Sequence, residues 1–398
     1  MSHAIFAILL YGEDGLTYRP EIDGLRAIAV MLVILYHGGF EIFGRTGWFD
    51  NGDIGVDVFF VISGYLITSI ILKELRETGA FSYRNFYERR TRRILPGLFA
   101  VLLAIFPVYF FLLDGLDLDF FFMTVIASIA FCSNILFYIV GSDLAEQGVE
   151  VGPLIHTWSL GIEEQFYIIF PVVLLLSLRF SPRVILPVLI FLFFISLQFS
   201  DFMADRNQNF NFFMLSSRFW ELLAGSLLAY LEQEHGAVRH RLLNLVMPVI
   251  GLCMIIWYVL LSGIHQAVPN YVTVIPVLGA AFIIAFASRD NPVGRLLGTK
   301  PFVAVGLMSY SLYLWHWPVF FFFKQIQPAP ENLDRLGWVG LSFLLSGLTY
   351  YFVEQPFRNR AFISIKPFYI LLALVAAFII LLAVFGAPSK HYLLSKID

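Results

Sequence analysis

Residues 18–39 read YRPEIDGLRAIAVMLVILYHGG, an apolar run that begins beside an arginine and carries a histidine. Ionisable side chains are costly at membrane depth, so Arg26 and His37 are not explained by hydrophobicity. They lie eleven positions apart. On a helix this is close to three turns, which places both side chains on one face roughly 16 Å apart along the axis. We therefore predict a spanning helix over 27–43, with Arg26 near one membrane surface and His37 near mid-depth.

This arginine–histidine pair has two interpretations. A guanidinium suits an anionic group such as a phosphate, and an imidazole suits proton transfer near neutral pH. Alternatively, Arg26 only anchors the helix end and His37 is a hydrogen-bonded interior residue.

The composition predicts an all-α, polytopic transmembrane helical bundle in a lipid bilayer. Of 398 residues, 59% are hydrophobic and 14% charged, which is not the make-up of a soluble globular protein. The net charge of -3 argues against nucleic acid as a partner. Cys132 and Cys253 both lie in apolar runs, so we expect neither a disulfide framework nor a metal.

Twelve apolar runs are long enough, or nearly so, to span a bilayer. They are 27–43, 54–72, 95–113, 120–140, 158–178, 184–200, 215–231, 243–261, 272–288, 302–323, 336–353 and 368–386. The basic loops predict a cytoplasmic N-terminus. Because the loops 114–119 and 141–153 both look external, 120–140 is not a simple crossing. Either 120–140 enters the membrane and returns, or 141–157 crosses back without being a regular apolar helix. Irregular backbone at membrane depth predicts surrounding protein or a water-filled cavity.

Three further segments carry polar residues in apolar surroundings. GVDVFFVISGY (55–65) has glycines suited to close helix packing, and its Asp57 orients His37, pairs with an arginine or caps the helix. YERRTRRILP (87–96) places Arg90 and Arg93 one turn apart, either as a topology anchor or as a site for a phosphorylated cofactor. HTWSLGIEEQFY (156–167) puts His156, Ser159 and Glu163 on one helix face.

Two other motifs have simpler explanations. Arg218 and Glu221 are spaced as a structural ion pair on one helix. His316 lies amid the aromatic residues of 310–318, which predicts an interfacial aromatic girdle, with stacking on a flat ligand as the alternative.

Together, these motifs resemble the bacterial integral-membrane acyltransferase-3 family over about residues 18–360. The resemblance rests on Asp23-Gly-Leu-Arg26 with ten residues to His37, GVDVFFVISGY, Arg90-x-x-Arg93 before Pro96, WSLxxEEQFY from Trp158, and Glu354-Gln-Pro. It implies a core of ten spanning helices, and the run 368–386 looks like an additional C-terminal spanning helix. The implied division is a lead-in (1–17), an acyltransferase domain (18–360) and an extra helix with a short external tail (361–398).

The resemblance also implies roles. Arg26 and His37 would be essential, with His37 catalytic, and Arg90 and Arg93 would lie at the site of acetyl-CoA, the co-substrate. Glu163 matches the glutamate of the Trp-Ser-Leu motif. As a hypothesis of mechanism, Arg26 also helps hold the donor phosphates, and Asp57 or Glu163 orients His37. Candidate substrate-binding residues are His156, Trp158, Ser159 and His316. The implied reaction is O-acetylation of a surface glycan or lipid-linked glycan, such as O-antigen, from the bacterial inner membrane. Some members carry a periplasmic SGNH-type domain, which we expect to lie outside this chain.

A proton-coupled transporter or flippase of a lipid-linked or anionic substrate is the alternative function. In that hypothesis His37 and Glu163 form a proton relay, and the irregular 120–157 stretch is the gate.

Overall fold

The computed structural model describes residues 18–146, 152–238, 240–261 and 268–394. Within these ranges most residues are helical, an isolated β-bridge joins Ile42 and Arg45, and no strand forms, which confirms the all-α prediction. The predicted lead-in 1–17 and part of the predicted irregular stretch, residues 147–151, lie outside the described residues.

The helices up to the middle of the chain are α1 (Pro20–Gly38), α2 (Gly55–Thr78), α3 (Tyr83–Leu112), α4 (Gly115–Ile129), α5 (Ser133–Glu146), α6 (Trp158–Phe180), α7 (Ile185–Ala204), α8 (Gln208–Phe213) and α9 (Leu215–His235). Then follow α10 (Arg241–Leu261), α11 (Val274–Phe286), α12 (Pro292–Leu297), α13 (Lys300–Leu307), α14 (Ser309–Ile326), α15 (Asn332–Thr349), a π turn (Tyr350–Glu354), α16 (Gln355–Arg358) and α17 (Ile365–Leu394).

Seven of the described helices are long and apolar enough, by length and composition, to cross a membrane. They are Gly52–Thr78, Tyr83–Leu112, Ile155–Phe180, Pro182–Ala204, Arg241–Leu260, Asn332–Arg358 and Ile365–Gly386. The protein is therefore a multi-pass membrane protein. The last of these helices covers the predicted C-terminal run 368–386, whereas the count of ten crossings plus one stays a prediction.

The described chain divides into two compact units. Unit 1 contains the chain up to Phe81 together with Glu163–Ser309, and unit 2 contains Ser82–Ile162 together with the chain from Tyr310 onward. The predicted division into a lead-in, an acyltransferase domain and an extra helix was drawn from sequence motifs and predicted membrane crossings, not from compact units. It stays a prediction.

Helix α1 begins earlier and ends earlier than the sequence predicted. Pro20 occupies its first turn, where a missing N–H costs nothing, and Glu21 and Asp23 lie at its positive end. The helix stops at Gly38 because Gly39 adopts a left-handed conformation (φ 58°) and donates its N–H to the Tyr36 carbonyl. The predicted helix 27–43 is thus wrong at both ends.

In unit 1, helices α2 and α9 approach each other closely. A Cβ atom on Gly64 would overlap the Leu222 carbonyl, and one on Gly225 would overlap the Val61 carbonyl. The prediction that the glycines of 55–65 allow close helix packing is confirmed. Such contacts bring two backbones together where lipid supplies no hydrophobic driving force.

In unit 2, the run 120–140 is not one helix. Helices α4 and α5 are separated at Ala130–Cys132, where Phe131 has a positive φ of 54°. Which of the two predicted paths the chain takes stays a prediction, because residues 147–151 lie outside the described residues. Gly161 packs closely against the start of α5: a Cβ atom at this position would lie only 2.6 Å from the Asn134 side chain.

The predicted single run 302–323 is wrong. It is divided at Met308 into α13 and α14, since Met308 leaves helical geometry (φ -88°, ψ 0°) and closes α13 with a bond to the Ala304 carbonyl. Gly306, just before the break, packs directly against the backbone of Asp23.

Candidate functional site

Arg26 and His37 both lie on α1, and the uninterrupted helix keeps them on one face as their spacing predicts. Nη1 of Arg26 lies 3.4 Å from Asp23 Oδ1, and the arginine side chain is 12% exposed. Asp23 Oδ2 accepts a hydrogen bond of 2.9 Å from the Tyr18 hydroxyl. The Asp23 carboxylate therefore orients Arg26 while part of the guanidinium reaches the surface.

His37 lies in the last turn of α1, not in the interior of a longer helix. Its ring is half-buried and packs against Tyr36, with the ring centroids 4.8 Å apart. The catalytic role of His37 stays a prediction.

Asp57 is held by an arginine from a distant part of the sequence. Nη1 of Arg218 lies 3.0 Å from Asp57 Oδ1 and 3.2 Å from Glu221 Oε1, and all three side chains are buried. Of the three roles considered for Asp57, pairing with an arginine is therefore what the geometry shows. It does not cap α2, whose N-cap is Ile54.

Glu163 connects two motifs that the sequence left separate. The Ser63 hydroxyl of α2 donates a 2.6 Å hydrogen bond to Glu163 Oε1 on α6. A short bond to a carboxylate is among the stronger hydrogen bonds in proteins, so the Glu163 side chain has a fixed direction. Glu163 is half-buried, and its predicted catalytic role stays a prediction.

The arginines near the start of α3 do not share one environment. Arg90 and Arg93 are partly exposed, whereas Arg92 is 2% exposed. Arg92 donates to Glu88 (3.0 Å) and to the carbonyls of Phe357 (3.3 Å) and Ile363 (3.0 Å). Sequence reasoning missed this structural role, although Glu88 four residues before Arg92 is the usual helical spacing for an ion pair.

A polar cavity of about 510 Å³ opens at the start of α3. Two of its lining residues, Arg360 and Glu88, form an ion pair with 3.1 Å between Nη2 and Oε2. Its lining consists of Ser82, Arg84, Asn85, Glu88, Arg92, Arg360 and Ile365. Three arginines against one glutamate make it cationic. Glu88 and Arg92 belong to the 87–96 motif, but the lining does not include Arg90 or Arg93, the two residues that the sequence singled out.

The remaining candidates form a cluster in unit 2. His156 and His316 are both buried, with ring centroids 5.5 Å apart and planes at 70°. Ser159 Oγ lies 2.7 Å from the Tyr313 hydroxyl. Trp158, the first residue of α6, is also buried. His156, Ser159 and Glu163 were expected to act on one face, but the first two contact α14 and Glu163 contacts α2.

Side chains of α14 satisfy the irregular backbone that precedes α6. The Trp317 indole N–H donates to the Gly152 carbonyl (3.1 Å), and the Tyr313 hydroxyl donates to the His156 carbonyl (2.7 Å). Non-helical backbone in a membrane protein needs such internal partners. His316 is 0% exposed, so its ring does not face lipid. The prediction of an interfacial girdle for 310–318 stays a prediction, since Tyr310, Tyr313 and Trp317 are partly exposed.

Comparison with known proteins identifies the family. The model of the acyltransferase-3 family, described as "Acyltransferase domain", matches residues 19–354. The chain belongs to this family. The match covers every residue that the sequence singled out for catalysis, donor binding or substrate binding, from Arg26 to His316.

Curated relatives share this acyltransferase region. The peptidoglycan O-acetyltransferase OatA of Listeria monocytogenes is 30% identical over 367 residues, covering 87% of this chain and 57% of the relative. The O-acetyltransferase OatA of Staphylococcus aureus is 31% identical, covering 94% of this chain and 65% of the relative. The chain thus spans less than two thirds of each relative's length. No solved structure matches the chain.

Proposed function

We propose that this acyltransferase is a membrane O-acetyltransferase that moves an acetyl group from cytosolic acetyl-CoA to a hydroxyl of a cell-envelope glycan. The observation that carries the proposal is the family match over residues 19–354. Its relatives are named O-acetyltransferases. The continuous helix face bearing Arg26 and His37 supports it, because this face offers both a phosphate ligand and a proton acceptor.

Donor binding in unit 2 is assigned to Arg90 and Arg93. The part of Arg26 in donor binding stays a prediction. Coenzyme A carries several phosphate charges, which guanidinium groups bind through charge-assisted hydrogen bonds. Arg90 and Arg93 are partly exposed and one turn apart on α3, so they can reach a ligand. Arg92 is not assigned to the donor, because Glu88 and two backbone carbonyls occupy its guanidinium.

His37 can take part in acetyl transfer by either of two mechanisms. In direct transfer, His37 takes the proton of the acceptor hydroxyl, the acceptor oxygen bonds to the acyl carbon, and the thioester sulfur leaves as coenzyme A thiolate. In the covalent route, a ring nitrogen bonds to the acyl carbon first, coenzyme A leaves, and the acceptor hydroxyl then releases the imidazole. In both, the proton finally protonates the leaving thiolate or passes to solvent.

The acceptor is assigned by chemical class. The Listeria relative is named for peptidoglycan, whose sugars offer hydroxyl groups outside the cytoplasmic membrane. O-antigen and lipid-linked glycans offer the same group. The proposed setting is the bacterial inner membrane with a cytoplasmic N-terminus and an external C-terminus, so that the acetyl group passes from the cytosol to an external glycan.

The test uses the full chain in detergent with acetyl-labelled acetyl-CoA, with and without a soluble glycan as acceptor, and measures free coenzyme A thiol and acetyl bound to protein. We expect His37→Ala to lower turnover by about 100-fold or more while acetyl-CoA binding persists, since a lost general base removes a factor of this order. His235→Ala is the matched control, because this exposed histidine lies in the last turn of α9.

The outcomes separate the alternatives. Turnover retained by His37→Ala would remove His37 from the mechanism. Acetyl trapped on His37 without acceptor would establish the covalent route. A wild-type protein that releases no thiol would refute the proposal and favour the proton-coupled transporter.

A further inference from the structure

The polar cavity at the start of α3 carries more positive charge than its own lining balances. Its volume of about 510 Å³ lies in the range of small-molecule sites, roughly 300–1,000 Å³. Three arginines line it, Arg84, Arg92 and Arg360, and the lining holds one acid, Glu88. Because one carboxylate cannot neutralise three guanidinium groups, the cavity attracts an anion.

Arg92 shapes the cavity and is not available to a ligand. Its buried guanidinium donates to Glu88 (3.0 Å) and to the Ile363 carbonyl (3.0 Å), which precedes α17. The guanidinium carbon also lies 4.4 Å from the ring centroid of Phe368, in the first turn of α17. Arg92 therefore ties the start of α17 to α3 and holds the walls of the cavity in place.

Arg84 and Arg360 are the two cations that can reach a ligand. Both residues are exposed. Arg360 uses Nη2 to pair with Glu88, but a guanidinium has five N–H donors, so donors remain for a second partner. The exposed Asn85 side chain adds a carboxamide to the lining. Guanidinium groups match the geometry of phosphate oxygens, so a phosphate is the anion that suits this pair.

The cavity lies at the depth of lipid head groups. Helices α3 and α17 are both long and apolar enough to cross a membrane, and both begin at the cavity. Ser82, directly before α3, and Ile365, the first residue of α17, belong to its lining. Tyr83, the first residue of α3, is 37% exposed, as is typical of the aromatic belt at a membrane surface. The cavity is thus level with the polar region of the bilayer.

Apolar side chains close to the cavity offer a surface for acyl chains. Phe362, two residues after Arg360, is 61% exposed. In the first turns of α17, Tyr369, Ile370 and Leu374 are 41%, 61% and 64% exposed. A soluble phosphate compound would not use this surface. A phospholipid carries both a phosphate for the arginines and chains for the apolar side chains, so a lipid fits these neighbours better.

We propose that the cavity binds the head-group phosphate of an anionic phospholipid, with Arg84 and Arg360 as its ligands. Basic pockets between membrane-spanning helices are typical sites for anionic lipids. All the lining residues belong to unit 2, and neither Arg90 nor Arg93 is among them. The site is therefore separate from the proposed donor residues and does not rest on the proposed function.

The test follows the unfolding midpoint of the full chain in an uncharged detergent as phosphatidylglycerol is added. A ligand that binds the folded protein raises this midpoint with its concentration, which gives an apparent Kd. Phosphatidylcholine is the matched lipid, because its choline neutralises the same phosphate diester. We expect wild-type protein to bind phosphatidylglycerol at least about tenfold more tightly, since each arginine near an anionic lipid contributes on the order of 1 kcal/mol.

Two variants remove the positive charge of the cavity. Arg84→Gln with Arg360→Gln should raise the apparent Kd for phosphatidylglycerol by about tenfold or more. Glu88 keeps Arg92 as its partner in this variant, so we expect the fold to persist. Arg84→Glu leaves the Arg360–Glu88 pair intact, and its added negative charge should weaken phosphatidylglycerol binding as well.

Arg179→Gln with Arg183→Gln is the matched control. It removes two exposed arginines at and just after the end of α6, and we expect its apparent Kd for phosphatidylglycerol to stay within about twofold of wild type. An equal loss in this control would show a general effect of surface charge and overturn the site. Equal affinity of the wild type for the two lipids would overturn it too.

Soluble phosphates separate the two possible sources of the anion. Inorganic phosphate and coenzyme A, added without lipid, should raise the unfolding midpoint of the wild type and of the cavity variants to the same extent. A loss of either effect in the cavity variants would assign the cavity to a soluble phosphate and overturn the lipid site. None of these readouts uses acetyl transfer, so failure of the proposed function would leave the lipid site standing.

Discussion

Arg218 Nη1 lies 3.0 Å from Asp57 Oδ1, although 161 positions separate the two residues. The contact joins α9 to α2 inside unit 1, and the same nitrogen lies 3.2 Å from Glu221. Each of these side chains is at most 5% exposed. Such a buried charge is stabilised only by its partners, so the direction of Asp57 depends on Arg218.

Replacing Arg218 should therefore destabilise unit 1 strongly. Arg218→Met keeps much of the side-chain length but leaves the carboxyl groups of Asp57 and Glu221 buried without their cation. Breaking a buried ion pair in this way costs about 3–5 kcal/mol. Unfolding in detergent, followed by heat or denaturant, measures the loss. A change below about 1 kcal/mol, the level of an exposed pair, would contradict a buried role.

Asp57→Asn tests whether Asp57 does more than pair with Arg218. The carboxamide oxygen can still accept from Arg218, and Glu221 still supplies one carboxylate to one guanidinium, so we expect folding to persist. Acetyl transfer lost with the fold intact would support the predicted catalytic role. Activity equal to wild type would leave Asp57 a structural residue. The readouts are thiol release and the unfolding midpoint.

Local patterns predicted much of this architecture. Apolar run length predicted most helices, and the three-residue spacing of Arg218 and Glu221 predicted their ion pair. Loop charge singled out 120–140 as not a simple crossing, but it did not predict the break at Ala130–Cys132. Helix ends were harder, because the end of α1 depends on the left-handed conformation of Gly39, which a pair of glycines permits but does not dictate.

Contacts between segments that are distant along the chain could not be predicted from the sequence. Asp57 had an arginine among its possible partners, but nothing local selected Arg218. Arg92 looked like its neighbours, since the carbonyls that bury it belong to residues 265 and 271 positions later. The burial of His316 depends in the same way on packing with the segment around His156. Those pairings are made by tertiary packing, which hydropathy and spacing do not encode.

Two double variants can distinguish donor binding by the arginines of 87–96 from simple anchoring of the helix by its charge. Arg90→Ala with Arg93→Ala should raise the KM for acetyl-CoA, by about tenfold for each charge-assisted hydrogen bond lost. Arg179→Ala with Arg183→Ala removes two exposed arginines at and just after the end of α6 and serves as the control for lost anchoring charge. Equal effects of the two double variants would show that these arginines only anchor the helix.

Ser63→Ala should show whether the direction of Glu163 matters. The substitution removes the 2.6 Å hydrogen bond to Glu163 Oε1. A bond to a charged group contributes about 1.5–3 kcal/mol, so unfolding should be easier by up to this amount. If Glu163 acts in acetyl transfer, kcat should fall more in Ser63→Ala than in another variant that loses the same stability. An unchanged kcat would show that the hydrogen bond is only structural. Thiol release at saturating acetyl-CoA gives the answer.

Gly64→Ala tests the close approach of α2 and α9. A Cβ at this position would overlap the Leu222 carbonyl, which belongs to helix backbone and has no side-chain freedom to move away. Overpacking of this kind costs about 1–3 kcal/mol. Gly340→Ala on α15 is the control, because its Cβ would have no heavy atom within 4 Å. There the better helix propensity of alanine should stabilise by up to about 1 kcal/mol. Opposite shifts of the unfolding midpoint are expected for the two variants, and a neutral Gly64→Ala would show that the helices are farther apart.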